Sequence, residues 1–252
     1  VRDGPVLRIL SYNIDSALGG LPGIIDEIDR YSPDIVALQE VRTPEEISGF
    51  LRTRYPTVNA SGQFILATRY TVSSSVGPEP VELDGRLRSP RFTQQVLQTP
   101  LGTISLYNIH PISPREVFHT IRGQGLGREM LSRRLFSSTN ASIFETNSRV
   151  RSLQMRAVAA TAQREPNPVL IAGDTNLPHL SLVLHQYLSG YQDGFTKVGW
   201  GFGYTFPTNR HPWLRLDRIL ASEQLRFVRF EVGSSPSSDH RCVVADVQRR
   251  RP

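Results

Sequence analysis

The sequence has little cysteine and no long apolar run, and each shortage excludes a class of protein. Cys242 is the single cysteine among 252 residues, so the chain cannot form an internal disulfide or a cysteine-based zinc site. Its apolar surroundings, RCVVADV, predict a buried thiol within a strand. No apolar stretch approaches the roughly 18–20 residues that a membrane-spanning helix requires. Because 38% of the residues are hydrophobic, a sizeable buried core is still expected.

Lysine is almost missing as well. Of the 29 basic residues only Lys197 is a lysine, and the net charge is +6. The planar guanidinium of arginine makes paired hydrogen bonds to phosphate, and a positive chain attracts polyanions such as nucleic acid or an anionic lipid surface. Many basic proteins bind neither, and arginine in place of lysine also follows genome composition, so the charge alone does not select a partner.

The beginning of the chain carries no signal-peptide pattern, and its first residue is Val1 and not methionine. We therefore expect that an upstream piece, such as a signal or a membrane anchor, has been removed or left out. The sequence therefore does not assign the protein to a cellular compartment.

The order of apolar and turn residues predicts one α/β domain over residues 1–252, with no convincing linker. Strands at 6–14 and 33–41 alternate with helices at 21–31 and 43–55, the second with Thr43 at its N-cap and Pro44 at the first helical position. Further helices are predicted at 148–166 and 180–188. Further strands are predicted at 63–69, 71–76, 92–98, 102–109, 169–172, 214–222, 225–232 and 241–248.

Residues 113–148 interrupt this pattern and are rich in arginine, serine, glycine and threonine. They predict a loop or small helical insertion. As an exposed arm the insertion would place arginines on substrate phosphates, and a solvated loop is the equally simple alternative. The arginines concerned are Arg115, Arg122, Arg128, Arg133 and Arg134.

The stretch PVLIAGDTNLPH, residues 168–179, ends an apolar strand in Asp174 and Asn176. In an extended chain residues i and i+2 point to the same side, so this carboxylate and amide would face one place at the end of a sheet. Glycine, aspartate and asparagine are also favoured in turns, which is the structural alternative.

Other predicted strands carry polar residues of metal-binding or acid–base type at or near their ends. Each of these residues, taken alone, could have a purely structural role. Asp217 is harder to explain in this way, because it lies in the apolar run LDRIL and needs a partner if it is buried. The residues are Asn13, Gln39, Glu40, Asn108, His110, Asp217, Asp239 and His240.

In chain order, the segments YNI, PDIVALQEV, YNIH, GDTN, LDRIL and SDH resemble the motifs of the endonuclease/exonuclease/phosphatase superfamily, from about residue 7 to 248. That superfamily includes deoxyribonuclease I, exonuclease III-type AP endonucleases, inositol polyphosphate 5-phosphatases and bacterial sphingomyelinases. The resemblance implies a four-layer α/β/β/α sandwich, with two mixed β-sheets facing each other and the active site at one end.

The resemblance also implies roles for the residues of these motifs. Glu40 would hold a divalent metal, with Asn13 beside it and Asp239 near it. Asp174 would orient or deprotonate the attacking water with Asn176 as its amide partner. The remaining positions match a histidine on the scissile phosphate, its buried acid, a second histidine and phosphate-contacting residues; these are His240, Asp217, His110, Arg91 and Asn108.

His110 favours the deoxyribonuclease I, phospholipase or sphingomyelinase branches, because exonuclease III-type enzymes carry a Tyr-x-x-Asn pattern there. In deoxyribonuclease I this second histidine has a glutamate partner, which aligns here near Gly62, where no carboxylate stands. We therefore expect a backbone carbonyl to orient His110, or His110 to matter less.

Together these residues favour a divalent-metal-dependent phosphodiester hydrolase, using Mg²⁺ or Mn²⁺ and cleaving DNA or RNA, as a monomer with no obligate protein partner. A lipid or small-molecule phosphodiesterase is the alternative, and its apolar substrate would meet aromatic residues that could equally form a packed loop. An inactive binding domain is less expected, since all six motifs are intact. The aromatic segment resembles bacterial members of the family, and its residues are Phe195, Trp200, Phe202, Tyr204, Phe206 and Trp213.

Overall fold

A computed structural model of the protein describes residues 4–115, 138–208, 211–234 and 237–250. Most of the predicted insertion, including Arg122, Arg128, Arg133 and Arg134, therefore lies outside the described residues. Arg115 lies within them.

Two six-stranded mixed sheets form the centre of the described structure. The first has the order β13-β14-β1-β2-β4-β3, in which β1 and β2 are parallel. Its strands are β1 (Leu7–Asn13), β2 (Ile35–Gln39), β3 (Thr57–Ser61), β4 (Phe64–Thr68), β13 (Leu225–Val232) and β14 (Val243–Arg249).

The second sheet has the order β11-β12-β10-β9-β8-β5, and here β9 and β10 are parallel. Its strands are β5 (Thr71–Val76), β8 (Phe92–Thr99), β9 (Gly102–Ile109), β10 (Val169–Asp174), β11 (Gln192–Asp193) and β12 (Asp217–Ala221). A separate hairpin consists of β6 (Val81–Leu83) and β7 (Arg86–Arg88).

Helices cover the outer faces of both sheets. Apolar residues of α1 and α2 pack on the first sheet, those of α3 and α4 pack on the second, and a third cluster lies between the sheets. The helices are α1 (Leu21–Tyr31), α2 (Pro44–Arg52), α3 (Ser138–Ala162), α4 (Leu182–Leu188) and α5 (Gly194–Val198). This arrangement confirms the predicted four-layer sandwich.

The alternation of side chains along a strand explains how both faces of each sheet are buried. In β1, Leu7 and Ile9 belong to the cluster between the sheets, whereas Leu10 and Tyr12 pack against the helices. Strands buried on both sides read as continuous apolar runs, which is why the sequence reveals them.

Most element predictions are close to the observed bounds; two differ in an informative way, and five short elements were not predicted. The helix predicted at 148–166 is α3, which begins ten residues earlier within the supposed insertion and ends at Ala162. Asp217 is the first residue of β12 and does not lie in the middle of a strand. The sequence pattern missed β3, β6, β7, β11 and α5 because they are short or partly exposed.

No helix in the described ranges combines the length and apolar character needed to cross a membrane.

Candidate active site

The polar residues predicted from the sequence meet at one end of the sandwich, between the two sheets. Several of them end rows of side chains that face the opposite sheet. In β10, for example, Asp174 continues the row of Leu170 and Ala172, and in β12, Asp217 begins the row of Ile219 and Ala221. The inward rows supply the apolar core along most of their length and polar groups at this end.

Asp217 and His240 form a buried hydrogen-bonded pair. The Nδ1 atom of His240 lies 2.8 Å from Oδ2 of Asp217. Asp174 stands directly opposite Asp217 in the register of β10 and β12, and its Oδ2 lies 3.6 Å from Nε2 of His240. The imidazole therefore stands between two carboxylates, with Nε2 lacking a hydrogen-bond partner among the described residues.

The surroundings of His240 favour its charged form. Burial opposes the charge, yet the carboxylates of Asp217 and Asp174 outweigh it and raise the pKa of His240 to about 10. The ring of Phe206 packs on the imidazole with centroids 4.8 Å apart. His240 is thus an imidazolium at neutral pH in a site that water reaches poorly.

Asn13 and Glu40 connect the first sheet to this centre. Asn13 Nδ2 donates to Glu40 Oε1 at 2.9 Å and to Asp174 Oδ2 at 3.1 Å. Glu40 follows the last residue of β2 with a positive φ of 56°, which turns its carboxylate out of the strand pattern. Burial alone would raise the pKa of Glu40, but the hydrogen bond and charge of His110 and the amide of Asn13 lower it to about 2.

His110 is oriented by a side-chain amide, contrary to the expectation of a backbone carbonyl. Its Nδ1 lies 2.8 Å from Oε1 of Gln63, the residue after Gly62. Its Nε2 lies 3.2 Å from Glu40 Oε1 and 3.6 Å from Asp174 Oδ2. Gln63 lies next to Gly62, where the glutamate partner of deoxyribonuclease I was expected by alignment. An amide oxygen can accept from the ring as a carboxylate would, so Gln63 could have been identified from its position.

Asp174 and Asn176 are neighbours for a different reason from the one the spacing suggested. The strand ends at Asp174, and Asn176 has a positive φ of 50°, so the two residues do not share a strand face. Instead the Asn176 backbone N–H donates to Asp174 Oδ1 at 2.7 Å, and its side chain donates to the carbonyl of Pro111 at 3.0 Å. Burial raises the pKa of Asp174; the charge of His240 opposes this, and the Asp217 carboxylate adds to it.

Gly173 lets this strand end approach its neighbour. Its φ is +150°, and a Cβ atom here would strike the backbone carbonyl of Ile109 in β9. Only glycine fits such a contact without moving one strand. The Gly-Asp pair of the motif therefore brings Asp174 next to the end of β9, where His110 lies.

Asn108 does not fit its expected role of binding substrate phosphate. It is fully buried between the sheets, where its Oδ1 accepts from Gln39 Nε2 at 2.7 Å. Its Nδ2 donates to the carbonyls of Leu38 and Ile65 at 3.0 and 3.3 Å. Its polar atoms thus link the two sheets and face no open surface.

Asp239 and Arg115 form an ion pair at the rim of the centre. The distance from Arg115 Nη1 to Asp239 Oδ2 is 2.7 Å, and the guanidinium also lies 4.5 Å above the ring of Phe206. Asp239 Oδ1 is 3.9 Å from His240 Nε2, so the carboxylate faces both groups. Arg115 therefore lies at the rim of the site, and its contact with substrate phosphates stays a prediction.

A cleft of about 760 Å³ opens beside these groups. It is lined by Glu40, His110, Arg91 and Arg115, and also by Asp15, which the sequence analysis missed. Burial and the carboxylates of Asp239 and Glu40 raise the pKa of Asp15. Asp15 stands two residues after Asn13, the same spacing that drew attention to Asp174 and Asn176.

The donor atoms at the cleft are suited to a divalent cation. One ligand atom each from Glu40, His110 and Asp174 lies within 4.8 Å of the others, as do atoms of Asp174, Asp217 and His240. In the second group Asp217 already binds His240, whereas Glu40 in the first is 26% exposed toward the cleft. Carboxylate oxygens are the hard ligands that Mg²⁺ and Mn²⁺ prefer, so the first group fits such an ion better.

The fold and the site define a class of hydrolase, in which carboxylates and imidazoles between two facing sheets act with a metal ion on phosphate esters. The chain belongs to the Endonuclease/Exonuclease/phosphatase family, which it matches over residues 10–240. It is therefore a metal-dependent hydrolase, as the six motifs predicted. A comparison with curated proteins gives no significant match.

Several solved structures share the fold. The endonuclease/exonuclease/phosphatase from Beutenbergia cavernae has a TM-score of 0.70 at 18% identity, over 97% of this chain and 72% of that one. The 3′ phosphatase NExo from Neisseria, bound to a product DNA hairpin, gives 0.64 at 17% identity, over 95% and 98% of the two chains. TDP2 of D. rerio, complexed with a single-strand DNA product, gives 0.62 at 17% identity, over 96% and 99%. At these identities the similarity shows the fold alone.

Proposed function

We propose that the protein cleaves phosphodiester bonds of nucleic acid, with DNA as the first candidate, by metal-assisted attack of water on phosphorus. One observation carries this proposal: the Nε2 atoms of His110 and His240 are both buried and both lie 3.6 Å from the same Asp174 oxygen, and Nε2 of His240 has no hydrogen-bond partner among the described residues. Two imidazole nitrogens that converge beside one carboxylate suit a phosphate group, to which a fixed ring N–H can donate.

His240 supplies the positive charge in this scheme. Its imidazolium, held by Asp217, donates from Nε2 to a non-bridging phosphoryl oxygen. Negative charge grows on that oxygen in the transition state, and a donor already fixed in place stabilises it without rearrangement. His110 approaches from the other side and is fixed by Gln63.

Asp174 is the base that accepts the proton of the attacking water. Its burial raises its pKa, which makes the carboxylate a better proton acceptor than an exposed aspartate. The Asn176 N–H and the Asn13 amide each hold one of its oxygens, so the carboxylate keeps a fixed orientation.

Glu40 would hold the divalent ion, with the oxygen-bearing side chains of Asp15, Asn13 and Asp239 nearby, while His110 and Asp174 act on the phosphate and the water. Bound there, Mg²⁺, or Mn²⁺ as its substitute, supplies Lewis-acid stabilisation of the phosphoryl oxygens. Arg91 and Arg115 at the cleft would contact phosphates along the strand.

Nucleic acid is favoured over other phosphodiesters by two findings. The net charge of +6 suits a polyanion, and both NExo and TDP2 were solved with DNA products. The exposed aromatic residues near the site are the observation that favours the second candidate, a lipid phosphodiester. We further propose that residues 1–252 act as a single catalytic domain and as a monomer.

A substrate screen tests the proposal. Single- and double-stranded DNA, RNA, sphingomyelin and inositol phosphates would be incubated with Mg²⁺ or Mn²⁺ and, separately, with excess EDTA. We expect cleavage of a nucleic acid that disappears in EDTA and returns with the ion. Full activity in chelator would contradict the metal-assisted mechanism. Cleavage of sphingomyelin alone would show that the substrate is a lipid and not a nucleic acid.

Glu40→Gln sharpens the metal assignment. Because Glu40 is partly exposed and follows its strand, the variant should fold normally while needing a much higher Mg²⁺ concentration for half-maximal activity. Glu45→Gln, an exposed change in the first turn of α2, is the matched control and should keep the wild-type metal requirement. An unchanged metal requirement in Glu40→Gln would place the ion elsewhere.

A further inference from the structure

A second cavity, of about 710 Å³, lies beside the loop that leads to the candidate active site. Its wall includes Trp200, Phe202 and Tyr204 from the segment after α5, and Arg241, which directly follows His240. The proposed reaction uses none of these four residues.

The aromatic side chains of this wall are held outward, toward solvent. Trp200 is 96% exposed and Phe202 is 79% exposed. Phe202 and Tyr204 stack face to face, with centroids 5.4 Å apart and planes 9° apart. The alternative of a packed loop therefore does not hold for Trp200 and Phe202, whose rings are open to solvent.

The loop is anchored to the protein on its other side. Gly203 has a φ of +67°, and a Cβ atom there would strike the ring of Phe195. The loop can approach Phe195 this closely because Gly199 and Gly203 carry no side chain at these contacts. The exposed rings are therefore presented by a backbone with little room to collapse inward.

Arg241 adds an unpaired positive charge to the cavity. Its backbone N–H donates to the carbonyl of Thr205 at 2.8 Å, which joins the aromatic loop to the segment carrying His240. Across the described ranges no carboxylate pairs with its guanidinium, and Glu231, also in the wall, is already paired with Arg229. The cavity thus combines exposed aromatic rings with the Arg241 guanidinium, which has no carboxylate partner among the described residues.

We infer that this cavity binds an unpaired nucleotide of the substrate strand, with its base against Trp200, Phe202 and Tyr204 and a phosphate on Arg241. A nucleotide joins a flat ring to an anion, as the cavity requires, and base stacking on aromatic side chains is the usual means of binding single strands. The inference rests on the proposed function and assigns it a single-stranded substrate, held beyond the bond that is cut.

The contact is tested by measuring the binding of normal and abasic strands to wild type and to variants of the aromatic residues. Fluorescence anisotropy in EDTA would compare a short single strand with the same strand carrying abasic nucleotides, which keep the phosphates and lack the bases. Wild type should bind the normal strand at least about five-fold more tightly, the low end for one stacked base. The Trp200→Ala/Phe202→Ala variant should lose this preference, and Trp213→Ala, a 64% exposed tryptophan outside the cavity wall, should keep it.

Tryptophan emission gives a direct reading of the same contact. The chain has 2 tryptophans, so Trp213→Phe leaves Trp200 as the single reporter. Its fluorescence should be quenched by the normal strand and not by the abasic strand.

Two results would overturn the inference. The first is equal affinity of wild type for normal and abasic strands, and the second is an unchanged preference in the double variant. If the double variant keeps its preference but loses binding to phosphatidylglycerol vesicles, or changes oligomeric state, the cavity instead serves a membrane or a second copy of the chain. Failure of the proposed function is seen separately, as the absence of strand cleavage by wild type in Mg²⁺, since the binding cycle is measured without metal.

Discussion

At the scale of single residues, the Asp217–His240 pair is the most exacting element of the proposed reaction. Losing one fixed donor to a transition-state oxyanion costs about 10²–10³ in kcat. We expect at least this loss in His240→Ala, and a substantial loss in Asp217→Asn, because the ring then loses its anchor and its bias toward the charged form. Since the two residues act as one unit, the double variant should lose little more than His240→Ala alone.

The measurement is kcat for the two single variants and the double variant, with circular dichroism to confirm folding. Thr205→Ser is a matched control for disturbance around the pair, because Thr205 Oγ1 accepts from the backbone N–H of Asp217 and serine retains that hydroxyl. Near-wild-type turnover in either single variant, or losses that multiply, would show that the pair is not the catalytic couple.

The protonation of His240 also makes stability depend on pH. The folded protein holds this proton up to about pH 10, whereas an unfolded histidine releases it near its ordinary value of 6.5. The folded state therefore binds more protons between these values, so the contribution is complete below 6.5 and is lost as pH rises toward 10. The loss is at most about 1.4 kcal/mol per pH unit.

His240→Gln removes this titration. We expect urea unfolding in chelator to show a free energy of unfolding that falls more steeply with pH for wild type than for the variant within that window. Parallel curves for the two proteins would contradict the raised pKa.

At the scale of elements, the ends of β2 and β9 are joined by Asn108. Removing its amide takes the 2.7 Å acceptor away from Gln39 Nε2 and the donor away from the Leu38 and Ile65 carbonyls in a buried place, which costs about 1–3 kcal/mol. Asn108→Ala should therefore lower the free energy of unfolding by about that amount and leave the KM for substrate near the wild-type value.

Chemical denaturation and steady-state kinetics would test the role of Asn108. Asn59→Ala, in the edge strand β3 and only partly buried, is the control and should change neither quantity appreciably. A raised KM with unchanged stability in Asn108→Ala would restore the phosphate-binding role that the sequence suggested.

At the scale of the whole molecule, the positive charge predicts a salt-dependent affinity for nucleic acid. For single strands the slope of log K against log salt is about −0.7 per phosphate neutralised. Arg115 stands at the cleft, so Arg115→Gln should reduce the steepness of that slope by up to roughly this amount. Arg164→Gln, an exposed arginine at the far end of the sandwich, should leave the slope unchanged, and an identical slope for both variants would remove Arg115 from the strand's path.

The remaining predictions about the whole chain stay predictions. The arginines of the insertion beyond Arg115 lie outside the described residues, and the single domain and the monomeric state rest on the sequence. Size-exclusion chromatography with light scattering would measure the oligomeric state, and a mass near 28.3 kDa is expected for the monomer.

The sequence by itself determined the order of the longer, buried strands and helices, the family and most of the polar residues brought together at the site. These features are local, because a buried strand is a short apolar run and its polar end is visible in the same few letters. Asp174 after VLIAG and Glu40 after IVALQ could be identified without knowing what they face.

Only the tertiary structure decided which of these groups meet. Asn13 reaches Asp174 across 161 residues, and Gln63 reaches His110 across 47, because the two sheets stack face to face and bring their inward rows to one end. The tertiary structure also decided that Asn108, which precedes His110 by two residues, faces the backbone of the other sheet and not the cleft. Alternation along a strand predicts on which face of the sheet a side chain lies. Whether the opposite sheet buries that side chain depends on packing between segments that are far apart in the chain.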